Sequence, residues 1–205
     1  MLKVWGRLNS LNVQKAMFAI LEAGVPHERT NAGMEHGVVQ TDDYKAMNPN
    51  SVVPTISDDG FVLWESNVIV RYISAKHSAG VLWPLDLRER ADSDRWMDWQ
   101  QTTFNPPLTT TFWERVRAPG KTPADQLAQA KQRLDKAIAI LDAAFARREW
   151  MGGKAFNMAD CVIAPGVHRF LNLPGDRAAA PNIERYYKQL MQRPVAKQLL
   201  TLPLT

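Results

Sequence analysis

"NPNSVVPTISDDGFVLWESN", residues 48–67, sets two short apolar runs, "TIS" and "FVLW", on either side of Asp58-Asp59-Gly60. An Asp-Gly pair between apolar runs is a hairpin signal, because a tight hairpin turn needs positive φ and glycine supplies it without steric cost. The two strands are therefore expected to be antiparallel. Val53-Pro54 leads straight into the first of them, where a cis bond is one solution for proline at the mouth of a strand. Such a bond turns the N–H and C=O of Val53 away from the sheet, free to pair with an extended peptide. A plain turn proline is the alternative. Glu65-Ser66 then opens a helix. Ser66 is suited to the N-cap, and its hydroxyl with the first free N–H groups makes an anion site. Glu65 is an exposed carboxylate at the same mouth, suited to a ligand ammonium. A site for a carboxylate beside a site for an ammonium matches an α-amino acid group; a helix cap plus a surface acid is the alternative.

Upstream, "LKVWGR" reads as a strand, followed by a helix from about Asn12 to Ala23. Val13, Ala16, Met17, Ile20 and Leu21 fall on one helical face. Gly24 ends the helix and Pro26 bars its continuation. "HERTNA" is a second strand, so a parallel βαβ unit with a right-handed crossover is expected. "TDDYKAMN" forms a short helix capped by Thr41. "ESNVIVRYISAKH" follows the hairpin as a helix with Val68, Ile69 and Tyr72 on one face. Residues 1–77 thus read β-α-β-α-β-β-α.

Residues 78–86 read as a linker, and 87–205 as entirely helical. Trp96 and Trp99 share a face of the first of these helices, and Pro106-Pro107 is expected to break or kink it. From Pro123 a long helix carries Leu127, Ala130, Leu134, Ile138, Leu141 and Phe145 at helical spacing. Further helices fall at about 158–170 and 182–192, with a short one from Pro194. The fold class is α/β plus all-α: a small mixed-sheet domain followed by a helical bundle.

The chain has 205 residues, 45% hydrophobic and 22% charged, the composition of a soluble globular protein with ample core. A net charge of +4 is spread over dispersed Lys and Arg, without the basic stripe that nucleic acid requires. Cys161 is the single cysteine, which excludes an intrachain disulfide and a thiolate metal site. His27, His36, His77 and His168 have no ligand spacing. There is no signal-peptide pattern and no apolar run of membrane-spanning length, so no membrane association and a cytoplasmic setting are expected.

"NPNSVVPTISDDG", Glu65-Ser66 and "FNMADCVIAP" together resemble the cytosolic glutathione transferases along nearly the whole chain, in particular the bacterial theta- or beta-like, serine-type members. The resemblance implies a thioredoxin-like domain that binds glutathione and a helical domain that supplies most of an electrophile pocket. It implies that Val53, with Pro54, holds the cysteinyl backbone of glutathione, and that Glu65 and Ser66 bind the γ-glutamyl amino and carboxylate ends. Ser51 stands where the family often has glycine, and serine tolerates positive φ poorly, so a local difference in the loop is expected. "FNMADC" looks like the family's capping box, with Asn157 as cap and Asp160 reaching back, and Phe156 and Cys161 as staple. Cys161 is then a buried structural thiol.

The glutathione thiol, with a pKa of about 8.5, needs a donor and the positive end of a helix to favour thiolate. In the family that donor is Tyr, Ser or Cys at the end of the first strand. No Tyr precedes Tyr44 and no Cys precedes Cys161. Ser10, 14 residues before Gly24, matches the serine of theta-like members. Asn12 is the rival donor and Asn9 a third; Asn12 looks the better cap and Ser10 freer to face the sulfur. His36 and Gln40 are candidates for the backbone or glycyl carboxylate of glutathione. Phe104, Phe112, Trp113 and Arg115 are candidates for the electrophile pocket, with Arg115 or Arg117 favouring an anionic substrate. The expected function is conjugation of glutathione, as co-substrate and without a metal, to a small hydrophobic electrophile in detoxification. A non-catalytic glutathione carrier, or a glutathione-dependent peroxidase, lyase or dehalogenase, is the alternative. A homodimer is the family expectation.

Overall fold

A computed structural model describes residues 1–204 of the chain. β1 (Leu2–Trp5), α1 (Leu11–Glu22) and β2 (His27–Thr30) form a parallel βαβ unit, with Leu2 opposite His27 and Trp5 opposite Thr30. β3 (Thr55–Asp58) and β4 (Phe61–Trp64) form the hairpin, and β3 also pairs antiparallel with β1. The sheet order is β2-β1-β3-β4. Asp59 and Gly60 take φ of 49° and 92°, the two positive values that a right-twisting hairpin turn requires.

Leu2, Val4 and Ile56 face α1 and α3 (Ser66–His77), while α2 (Asp42–Met47) covers the other face. There Tyr44 packs with Ala32 and Val39 beside Trp5 and Val53. Thr41 caps α2, its hydroxyl accepting from the Tyr44 N–H at 3.3 Å.

α1 differs from the amphipathic helix expected. Leu11 and every residue from Val13 to Ile20 is buried, including Gln14 and Lys15, whereas Leu21 is only half-buried. The reason is that α7 (Met158–Asn172) and α9 (Pro194–Leu200) cover the face that a lone βαβ unit leaves in water. Buried polar groups there need partners. The Gln14 amide donates to the Leu199 carbonyl at 2.9 Å, and Arg193 holds the Glu22 carboxylate at 2.9 and 2.6 Å.

In α3 the buried face is Ile69, Val70 and Ile73, with Val68 exposed and Tyr72 half-buried, one step round from the face expected. Its cap also differs. Glu65, at φ 73°, occupies the N-cap position, and Ser66 is the first helical residue.

Pro106-Pro107 does not end the helical path. α4 (Leu87–Trp99) runs through a wider π turn at residues 100–104 into α5 (Asn105–Phe112), and the Asn105 N–H donates to the Gln100 carbonyl. The wider turn has already shifted the hydrogen-bond ladder, so the prolines sit in a first turn where a missing N–H costs little. A second π turn follows at residues 113–117. α6 (Ala124–Phe145) buries Ala130, Leu134, Ala137, Ile138, Leu141 and Phe145, and leaves Leu127 half-buried. α7 is buried along almost its whole length and is the core of the helical part, with α8 (Pro181–Leu190) and α9 around it.

The capping box of α7 forms. Asn157 accepts from the Ala159 N–H, and Asp160 accepts from the Asn157 N–H. Cys161 is fully buried, and burial pushes its thiol well above the ordinary range, which makes it inert. Among the described residues no helix is long and apolar enough to cross a membrane.

Candidate active site

The loop between β1 and α1 is set by a close approach. A Cβ on Gly6 would lie 2.4 Å from Val13 Cγ2, so only glycine lets the chain turn this tightly onto α1. The Gly6 N–H donates to Thr30 and the Arg7 N–H to Ala32, which fixes the loop to the strand-like segment beside it. Ser10 is then the N-cap of α1 by its backbone, with φ −81° and ψ 125°, and its carbonyl accepts from the Gln14 N–H at 2.8 Å. Its hydroxyl caps nothing. Asn12 is the second residue of the helix, so the cap position expected for Asn12 belongs to Ser10. Among the described residues the hydroxyl has no hydrogen-bond partner, and it sits at the positive end of the helix dipole.

Ser10 and Asn12 line one cleft of about 140 Å³ together with Arg7, Leu11, Asn105, Thr109, Phe112, Trp113, Arg117 and Arg169. Of the expected pocket residues, Phe112 and Trp113 are therefore at this cleft. Phe104 is not: it is fully buried and stacks on Trp99 at 5.8 Å. Nor is Arg115, whose guanidinium donates to the Pro174 and Asp176 carbonyls at 2.9 Å each. Arg115 lines a larger, more apolar cavity of about 460 Å³ with Leu127, Leu134, Phe170 and Leu173, to which Ser10 does not contribute.

The second half of the site is the loop before β3. Val53-Pro54 is cis, and among the described residues no intrachain hydrogen bond engages the Val53 N–H or carbonyl. The loop is held from below. The Tyr44 hydroxyl donates to the Val52 carbonyl at 2.7 Å, and the Asn48 amide donates to the same carbonyl at 2.9 Å and to the Thr55 hydroxyl at 3.0 Å. Ser51 takes φ 54°, the left-handed region that glycine favours and serine tolerates poorly.

Glu65 is exposed in another left-handed conformation, a strained placement of the kind found at binding sites. Its side chain caps nothing, and Oε2 lies 3.5 Å from Gln101 Nε2 on the π turn. Ser66 is buried as a residue, at the first turn of α3. Asn9 is half-buried in the loop before Ser10. His36 is drawn 3.3 Å from Glu35 in a short helical turn, and Gln40 is exposed beyond it; neither lines the cleft. Among the described residues no group of His, Cys, Asp and Glu is arranged to hold a metal.

Sequence reasoning named Arg117, which lines this cleft, but missed the other charges. Arg7 and Arg169 are each 7% exposed and line the same cleft, though 162 positions separate them. Lys15, one helical turn beyond Asn12 and fully buried, donates to Asn67 Oδ1 at 3.3 Å, and Asn67 Nδ2 donates to the Met97 carbonyl at 2.7 Å. Burial lowers Lys15 to about 7, against the opposing pull of Glu65. No periodicity marks such a lysine, because the neighbours that bury it, Asn67 of α3 among them, lie far along the chain. Between about pH 7 and 10 the unfolded chain carries a proton on Lys15 that the folded chain lacks. Stability is therefore expected to rise with pH across that window. Urea midpoints at the two ends of the window should differ less in Lys15→Met than in the wild type; an equal difference would remove Lys15 as the cause.

A four-stranded mixed sheet with a cis-proline loop, a serine at a helix N-terminus whose side chain makes no cap, and an all-helical part across the cleft define a thioredoxin-like architecture joined to a helical bundle. The chain belongs to the glutathione S-transferase family. The family models for the glutathione S-transferase N-terminal and C-terminal domains match residues 1–75 and 124–189. The chain is 35% identical to glutathione S-transferase GstB of Escherichia coli over 209 aligned residues, covering 100% of both proteins. It is 31% identical to mouse glutathione S-transferase theta-3, over 68% of this chain and 60% of that protein. It superposes with a TM-score of 0.94 and 36% identity on the theta class glutathione S-transferase of Xanthomonas axonopodis pv. citri with glutathione bound, covering 100% of this chain and 99% of that one.

Proposed function

We propose that this glutathione S-transferase activates the glutathione thiol at Ser10 and conjugates it to a small electrophile lying against Phe112 and Trp113. The observation that carries the reading is the uncommitted Ser10 hydroxyl at the N-terminus of α1, on the wall of a cleft that the helical domain closes. The hydroxyl donates to the thiolate, and the helix dipole adds to its stabilisation. The sulfur then attacks the electrophilic carbon, and the leaving group departs with the bonding pair. Asn12 is the second donor and Asn9 flanks the pair.

The tripeptide lies along the cis-proline loop, its cysteinyl backbone on the open N–H and carbonyl of Val53. Its γ-glutamyl end meets Ser66 through its carboxylate and Glu65 through its ammonium. Holding both ends makes the attack effectively intramolecular. Glu65→Ala is expected to weaken glutathione binding about 5- to 150-fold, the ~1–3 kcal/mol of a lost charge-assisted bond, read by titration calorimetry. Unchanged affinity would remove Glu65 from the γ-glutamyl site. His36 and Gln40, both exposed, are the candidates for the glycyl carboxylate or the backbone of glutathione.

The enzyme is read as a cytoplasmic detoxifying homodimer. The unpaired edge of β4 supports pairing, with exposed Phe61, Trp64 and nearby Val68. Ultraviolet titration of glutathione bound to the protein tests catalysis directly. A thiol that ionises below its free value supports the transferase, and an unshifted thiol would identify a carrier.

A further inference from the structure

The cleft at Ser10 is crowded with positive charge. Arg7 comes from the loop after β1, Arg117 from the second π turn and Arg169 from α7, and all three line it while no Asp or Glu does. Several arginines elsewhere pair with carboxylates: Arg71 with Asp94 at 2.6 Å, Arg148 with Asp92 at 2.9 Å, Arg193 with Glu22 at 2.6 Å. Among the described residues Arg7 and Arg169, although buried, have no carboxylate at ion-pair distance. Arg169 lies 4.0 Å from the Phe112 ring centroid, and its Nε is buried without a hydrogen-bond partner. Burial first, then Arg117 and Arg7, lowers Arg169 to about 10, and burial lowers Arg7 and Arg117 as well. Among the described residues Glu35 favours the charge on Arg7 and Arg117, and it is exposed and drawn to His36.

Buried guanidinium groups without counter-charge are costly, and an anion entering among them recovers that cost. One negative charge, the glutathione thiolate, belongs at Ser10. Arg117 and Arg169 stand on the helical-domain wall, where the electrophile lies. Resting on the transferase reading of this cleft, we infer that the electrophile is itself an anion, a small molecule with a carboxylate next to the carbon that is attacked. Phe112 and Trp113 cover the carbon, and the arginines take the carboxylate in the bidentate manner suited to guanidinium.

The chemistry also requires the cations. Thiolate and carboxylate repel each other at contact distance, and this like-charge term slows the uncatalysed reaction. The guanidinium groups cancel it. The sulfur lone pair forms the C–S bond while the carbon–halogen bond breaks. The halide leaves with the bonding pair into the same positive field, and the thiol proton has already passed to solvent.

The test compares iodoacetate with iodoacetamide, a pair differing in charge and hardly in size, each measured with glutathione and corrected for spontaneous reaction. The wild-type kcat/KM ratio of acid to amide is expected at tenfold or more. In Arg169→Leu and Arg117→Leu that ratio is expected to fall at least tenfold. Arg117 is only half-buried, so its variant carries the test if Arg169→Leu does not fold. A wild-type ratio at or below that of the uncatalysed reactions would overturn the inference. So would an unchanged ratio in the variants with both rates falling together, which would assign the arginines to the thiolate instead. Acceleration of neither reagent, with no glutathione binding by calorimetry, would overturn the transferase reading beneath it.

Discussion

Ser10→Ala is expected to lower the kcat for conjugation of glutathione to a chlorinated nitroaromatic by about 10²-fold near neutral pH. That loss corresponds to ~2.7 kcal/mol of transition-state stabilisation, within the range of one positioned donor. The hydroxyl contributes little to folding, because the backbone of Ser10 rather than its side chain serves α1. Unfolding midpoints should therefore change little, which separates catalysis from stability. The thiol of bound glutathione should titrate higher in the variant by one to two units, each worth about 1.4 kcal/mol. Asn12→Ala is expected to cost tenfold or less, since Asn12 lines the same cleft from the helix itself. The reverse ranking would transfer the donor role to Asn12. If neither change alters turnover, thiol activation lies elsewhere.

Asp160→Ala is expected to destabilise the fold by about 3–5 kcal/mol, the range for breaking a buried charged network. Asp160 is fully buried and accepts from three main-chain donors: Met151 at 2.7 Å, Gly152 at 3.0 Å and Asn157 at 3.0 Å. Removing the carboxylate orphans all three at once. The damage also spreads to neighbouring elements. The Asn157 amide donates to Ser93 on α4 at 2.8 Å, and the Met158 N–H donates to Leu82 in the linker at 3.0 Å. Denaturation midpoints measure the loss; a change below 1 kcal/mol would show that the loop refolds without its carboxylate.

The same residue carries a pH signature. Burial raises Asp160 to about 6, with the main-chain donors opposing. A carboxyl raised above its unfolded value contributes stability below about pH 4, and that contribution is lost as pH rises through about 6. The wild type should therefore lose stability relative to Asp160→Asn across that interval.

The features legible in the sequence are local ones. Asp59-Gly60 fixes the hairpin, Gly24 and Pro26 end α1, and Asn157 with Asp160 makes the capping box, each through contacts a few residues apart. Where a local rule met a wider constraint it slipped. Ser66 has the better capping side chain, yet Glu65 takes the N-cap position in a left-handed conformation. Pro106-Pro107 reads as a break, yet a π turn just before it keeps the helical path going. Phe104 and Arg115 have pocket chemistry, but packing turns one into the core and hydrogen bonding ties the other beside a different cavity.

By itself the sequence determined the order β-α-β-α-β-β-α, the all-helical second part, and the polar segment in front of α1. Periodicity, turn residues and caps act over a few residues, and such effects are written along the chain. The docking of α7 and α9 onto α1 decided what that segment faces. It buried Gln14 and Lys15 on a helix that alone would have a wet side, and it brought Arg169 to Arg7 across 162 positions. Burial and charge convergence depend on distances through space, so the positive cleft around Ser10 exists only once the two domains pack.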